Sequence, residues 1–154
     1  MRLIFLVVGR LKSGPERELV DEYIKRAAPI ARSLGFRGLE EIEVASGGGL
    51  DAEAERILAK IPSGAKCIRL DEFGRSLKST DFADRLGTWR DQGIPDLVLL
   101  VGGAEGYGEA VRSQVSDTMA FGPQTWPHRL VRAMLAEQVY RAVSILAGTP
   151  YHKA

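Results

Sequence analysis

Apolar and polar positions along this chain switch between two periods. Short apolar runs at 3–8, 67–70 and 97–101 read as strands, and the stretches between them repeat apolar residues at helical spacing. The first run ends at Gly9. Ser13-Gly14-Pro15-Glu16 has the capping-box pattern with an early proline, and it opens a helix carrying Leu19, Val20, Tyr23, Ile24 and Ala27. Pro29 is predicted to end or kink that helix. Residues 39–44 alternate apolar positions with Glu40, Glu41 and Glu43, the pattern of a half-exposed strand near a sheet edge. Asp51 is placed to cap a second helix with Ile57, Leu58 and Ile61 inward, and Ser79 a third with Phe82, Leu86 and Trp89, closed by Gly93. Residues 97–101 are apolar throughout, which predicts a central strand. A short helix over 109–115 and a short fifth strand over 119–121 follow. The last helix runs from near Pro127 to before Gly148, with an apolar stripe through Val131, Leu135, Val139, Ala142 and Leu146.

Strand and helix thus alternate five times. This is an α/β pattern, predicting a mainly parallel sheet of five to six strands, right-handed crossovers and helices on both faces. At 154 residues the chain is expected to form one domain, 1–154. With 21 basic and 20 acidic residues, the net charge of +1 argues against a histone-like nucleic-acid binder, though a local basic patch can still supply a field. Arg10, Lys12, Lys25 and Arg26 are candidates for such a patch near the ligand edge of the sheet, the plainer alternative being solvated surface. Cys67 is alone, so no intrachain disulfide is expected, and it reads as a small strand hydrophobe. The N-terminal apolar run is too short for a signal peptide and no segment approaches a membrane span, which predicts a cytosolic protein without a membrane partner.

Candidate chemistry gathers late in the chain. There is no phosphate-binding P-loop, and Gly9 stands alone where a dinucleotide fingerprint should sit. Instead Gly102-Gly103-Ala104-Glu105-Gly106 follows the central strand, at the end where open parallel sheets bind ligands. These glycines suit either a close backbone approach to a ligand or a tight turn. A second loop, Phe121-Gly122-Pro123-Gln124-Thr125-Trp126, offers backbone groups for an adenine edge, with Trp126 either packing on a ring or filling the core. Leu70 ends the neighbouring strand. His128 opens the last helix as a capping or ligand-contacting residue. Arg129 and Arg132 lack an acidic partner at helical spacing, which favours phosphate contact, whereas Glu137 and Arg141 are spaced as a surface ion pair. Tyr151-His152-Lys153 offers a ring, a titratable group and a cation, expected beside the late loops. Two histidines and one cysteine far apart make no metal site.

At residues 97–106, at Thr125-Trp126-Pro127-His128, along Leu130-Val131-Arg132 through Glu137-Gln138-Val139-Tyr140-Arg141-Ala142, and at Tyr151-His152-Lys153, the chain resembles the ribosomal RNA large subunit methyltransferase H family, a small branch of the SPOUT methyltransferases. The resemblance spans the whole chain. It implies an α/β knot in which the C-terminal segment is threaded through a loop. It also implies a homodimer with the last helix in the interface, an S-adenosylmethionine cofactor, and 23S ribosomal RNA in the ribosome as partner, methylated at N3 of a pseudouridine. Carried over, the cofactor contacts are Leu70, Gly102 with Gly103, and Phe121, Gly122, Pro123, Gln124, Thr125 and Trp126. Gly122-Pro123 departs from the serine-rich versions of the family and removes one amide donor. Lys153 stands where arginine is frequent, exchanging a bidentate fork for a point charge. The catalytic candidates are His152 as proton acceptor, Tyr151 to orient the base and Arg132 to hold phosphate or the developing anion. His128, Arg129 and Lys153 are the substrate-binding candidates. The alternatives are a non-catalytic ribosome-associated factor of the same fold, or a nucleotide-cofactor enzyme of another α/β class.

Overall fold

The computed structural model describes residues 1–153. Five strands form one parallel sheet in the order β2-β1-β4-β3-β5, with β1 at Arg2–Val8, β2 at Gly38–Val44, β3 at Lys66–Leu70, β4 at Asp96–Val101 and β5 at Thr118–Met119. The apolar strand β4 is the middle one, and the glutamate-alternating β2 is an edge, as their patterns predict. The other edge is kept short, since β5 pairs with β3 through two register positions only.

Register decides what each face buries. Leu3, Phe5 and Val7 stand opposite Leu97, Leu99 and Val101. All six point to the face covered by α1 (Pro15–Ser33), α3 (Ser79–Asp91) and α5 (His128–Ala147). Ile4, Leu6 and Val8 point the other way with Val98 and Leu100, under α2 (Leu50–Lys60) and α4 (Glu109–Gln114). Side chains alternate across a strand, so two continuous apolar runs supply two cores from one sheet. Cys67 is half-buried against the second core, where burial pushes its thiol up.

Several local expectations are corrected. Helices α1, α2 and α3 begin after Gly14, Gly49 and Lys78, without side-chain caps. Ser13, Asp51 and Ser79 therefore do not cap them; Ser79 donates instead to Gln138 Oε1 at 2.8 Å and ties α3 to α5. Pro29 does not end α1, which continues to Ser33 because Ala27, Ala28 and Ala31 around it are buried against the sheet and α5. Lys25 and Arg26 are not at the ligand edge. α1 starts there and leads away at about 1.5 Å per residue, and Arg26 pairs with Glu22 at 2.8 Å.

Candidate active site

The loops that leave β3, β4 and β5 enclose a cavity of about 520 Å³ at the carboxyl ends of those strands, within the size range of small-molecule sites. Its floor is the end of the sheet, Leu70, Val101 and Met119. One wall is the glycine loop after β4 and the other is the 121–126 loop, with His128 and Val131 of α5 behind it.

Tyr107 holds the floor together. Its buried hydroxyl accepts from the Gly102 amide at 3.0 Å and lies 2.8 Å from the Leu70 carbonyl and 3.0 Å from the Leu100 carbonyl. One side chain thereby joins the ends of β3 and β4, and burial raises its phenol well above the ordinary range. The glycines are explained by this packing. A Cβ at Gly102 would meet the Gly106 carbonyl and the Tyr107 ring at 3.1 Å, and one at Gly103 would meet Val8 Cγ1 at 3.2 Å. Only Gly106 in this loop has a positive φ, of 84°, closing a turn with its amide on Gly103 O at 3.1 Å.

The two outer loops are tied across the mouth. Thr125 donates to Glu72, and the Ala120 amide to Arg75 O at 3.0 Å. Asp71 pairs with Arg69 and accepts from the Phe73 amide at 2.9 Å, leaving the Phe73 ring 90% exposed at the rim. Trp126 is not a core aromatic. It is 37% exposed and lines the cavity, with Nε1 donating to Phe121 O at 2.9 Å so that the loop closes on itself.

Of the residues singled out in the sequence, Leu70, Gly102, Gly103, Phe121, Gln124, Thr125, Trp126 and His128 line this cavity. Gly122 faces a second groove of about 500 Å³ between α1 and α5, and Pro123 and Arg129 are exposed outside both. His128 is half-buried. Burial, then Arg129 and Arg132, lower its pKa below the ordinary value, so the ring is neutral at pH 7.

Arg132 is a correction. It lacks a partner only at helical spacing; in space it is buried, with Nη2 at 2.6 Å from Glu43 and 3.2 Å from Glu41, and Nη1 donating to Gly9 O at 3.0 Å. Both carboxylates come from β2, about ninety positions upstream, so helical spacing could not reveal them. The tail is a second correction, since it does not lie beside the late loops of its own chain. Gly148 turns it back along α5, where Tyr151 donates to Glu137 at 3.0 Å and rests against Tyr140 at 4.4 Å. Burial, then Glu137 and Tyr23, raise the Tyr151 phenol, and Arg141 approaches His152 Nδ1 at 3.1 Å. Glu137 lies nine residues, about 14 Å, along α5 from His128. None of Tyr151, His152 or Lys153 lines the cavity. Sequence reading missed Tyr107, whose partners lie on two other strands, and the rim residues Asp71 to Phe73, which read as a strand end. Among the described residues no cluster of histidine, cysteine and carboxylates could hold a metal, and no helix is long and apolar enough to cross a membrane.

Comparison with known proteins adds a family. A family model described as "Predicted SPOUT methyltransferase" matches residues 1–152. A protein of Hyphomonas neptunium named ribosomal RNA large subunit methyltransferase H is 66% identical over 154 residues, the whole of both chains. The protein of that name from Rhodopseudomonas palustris is 49% identical over 160 aligned positions, again across both chains. Among solved structures, the SpoU methyltransferase AviRb of Streptomyces viridochromogenes in complex with AdoMet superposes with a TM-score of 0.42 at 16% identity, covering 96% of this chain and 61% of that one.

Proposed function

The chain belongs to the SPOUT methyltransferase family, in the branch of the ribosomal RNA large subunit methyltransferase H proteins, and from that premise we propose that it transfers a methyl group from S-adenosylmethionine to N3 of a pseudouridine in 23S ribosomal RNA. The observation that carries this reading is the cavity at the carboxyl ends of β3, β4 and β5, walled by the glycine loop and the 121–126 loop. Its lining fits the cofactor. Phe121 and Trp126 offer faces for a flat ring, while Glu72, Glu105 and Arg112 bring both signs of charge for a ligand that carries both. Backbone groups of Leu70, Gly102, Gly103, Phe121, Gln124, Thr125 and Trp126 would hold it.

When bound, S-adenosylmethionine supplies an electrophilic methyl group. The residues then have two tasks, to position the base and to remove the N3 proton, whose loss frees the nitrogen lone pair for in-line attack. His152 accepts that proton, Tyr151 orients the base and Lys153 holds phosphate as a point charge. Arg132, engaged by Glu41 and Glu43, holds the β1 loop rather than the substrate.

The tail and the cavity of one chain do not meet, so the tail residues act on the cavity of a second copy. A homodimer on the face of α5 is supported by the groove between α1 and α5, lined by Leu130, Met134 and Leu19, the last 42% exposed. We place residues 1–154 in a single domain whose C-terminal segment is threaded beneath the loop after β3 as a trefoil knot, one of the few exceptions to unknotted connection. The Ala120–Arg75 and Thr125–Glu72 bonds support this. The working place is the ribosome in the cytoplasm.

One observation favours a second reading, in which His128, neutral and already in the cavity of its own chain, is the proton acceptor. Calorimetric titration with S-adenosylmethionine, paired with turnover on ribosomes, separates the two. His152→Ala is expected to lose about 10²–10⁴-fold in turnover with unchanged cofactor affinity. Unchanged turnover in His152→Ala, with the loss appearing in His128→Ala, moves the role to His128. A protein that binds cofactor but never transfers methyl is the non-catalytic factor instead.

A further inference from the structure

The loop that follows β1 alternates in a way the cavity does not explain. Leu11 is 4% exposed, while Arg10 and Lys12 on either side of it are exposed. Leu11 is clamped at both backbone groups, its amide donating to Glu43 at 2.8 Å and its carbonyl accepting from Arg17 at 3.2 Å. Gly9, with φ of 95°, turns the chain, donates to Val44 O and accepts from Arg132. The same Arg132 belongs to the first turns of α5, where Arg129 is exposed. A network of Arg17, Glu41 and Glu43 around the buried Arg132 therefore welds the β1 loop to the start of α5.

That network also settles the local charge. Glu41 and Glu43 are consumed by the two inward arginines, and burial of Glu43 is outweighed by Arg132, the Leu11 amide and Arg17, which hold its carboxyl below the ordinary range. Among the described residues, no carboxylate lies within ion-pair distance of Arg10, Lys12 or Arg129, whereas Arg2, Arg17, Arg26, Arg69 and Arg141 are all paired. Three unpaired cations thus stand where the end of β1, with Val8 against Gly103 of the cavity wall, meets the start of α5, where His128 lines the cavity and Arg129 follows it.

We propose that Arg10, Lys12 and Arg129 form the docking surface for the phosphate backbone of the RNA strand whose base enters the cavity. This rests on the RNA-methyltransferase reading above and adds where the strand lies: across the β1 side of the mouth rather than the β5 side. A chain of net charge +1 has little overall field to attract RNA, so a local fixed patch must supply it. The opposite edge of the sheet provides a control matched to a single substitution, Arg85 beside Trp89, whose cavity is separate.

The test measures ribosome KM, kcat and cofactor affinity across a salt series for Arg10→Glu/Lys12→Glu, Arg129→Glu and the control Arg85→Glu. The first two are expected to raise ribosome KM on the order of tenfold and to flatten its logarithmic salt dependence by about one per cation removed. Their cofactor affinity should stay as in the parent, and the control should behave as the parent throughout. Parental KM and salt slope in the first two variants overturn the proposal, as does a change confined to the control. Absence of methyl transfer by the parent protein overturns the underlying reading instead, and direct ribosome binding by the same variants still decides the surface.

Discussion

Tyr107 shows how much of the cavity hangs on a single hydroxyl. It satisfies the Gly102 amide and meets the carbonyls at the ends of β3 and β4, all within the buried floor. Tyr107→Phe keeps the ring but orphans those backbone groups, and a buried unsatisfied group costs about 1–3 kcal/mol. Urea unfolding is expected to show a loss of that size, with weakened S-adenosylmethionine binding in calorimetry. Parental stability and affinity together would show that the hydroxyl does not set the floor. At this scale the sequence was partly legible. The glycine loop and the 121–126 loop stand out as punctuation after apolar runs, and both line the cavity. The reason for Gly102 and Gly103 was not legible, because the atoms that exclude a Cβ belong to Tyr107 and Val8, and only folding brings Val8 there. The role of Arg132 is hidden for the same reason, its partners lying on β2, about ninety positions upstream.

Among the elements, strand and helix identities followed from periodicity, and the fully apolar 97–101 run foretold the central strand. The starts of α1, α2 and α3 did not follow, since the local pattern nominates polar caps where glycines or a lysine end the preceding loop. Pro29 is the sharpest conflict. It sits exposed inside α1, where proline removes one intrahelical bond, and the buried alanines around it carry the helix through. Pro29→Ala is therefore expected to stabilise the protein by about 1–2 kcal/mol, read as a shifted urea midpoint at constant slope. A destabilised variant would show that α1 needs the proline's geometry to pack on α5.

For the whole molecule, the decisive arrangement is the separation of tail and cavity. The tail is fastened to the middle of α5 through Glu137, Tyr140 and Arg141, while the cavity takes His128 and Val131 from the first turn of that helix. A sequence that places both late in the chain invites the assumption that they meet, but nine residues of α5, about 14 Å, separate Glu137, which holds the tail, from His128 at the cavity wall. If a second copy brings them together, two inactive variants should complement. A chain with a blocked cavity, Gly102→Val, mixed in equal amount with a His152→Ala chain, is expected to regain one active site in each mixed dimer, about a quarter of the parental activity after random exchange, whereas each alone stays inactive. No recovery after verified subunit exchange would place the tail's contribution within its own chain.

The reaction itself is read by tritiated methyl transfer. Ribosomes from a strain lacking the modification are incubated with the protein and labelled S-adenosylmethionine, and the nucleosides are then separated and mapped. Label is expected in a single N3-methylated pseudouridine of the 23S RNA. Ribosomes that stay unlabelled, or label in another nucleoside or in the small-subunit RNA, would contradict it.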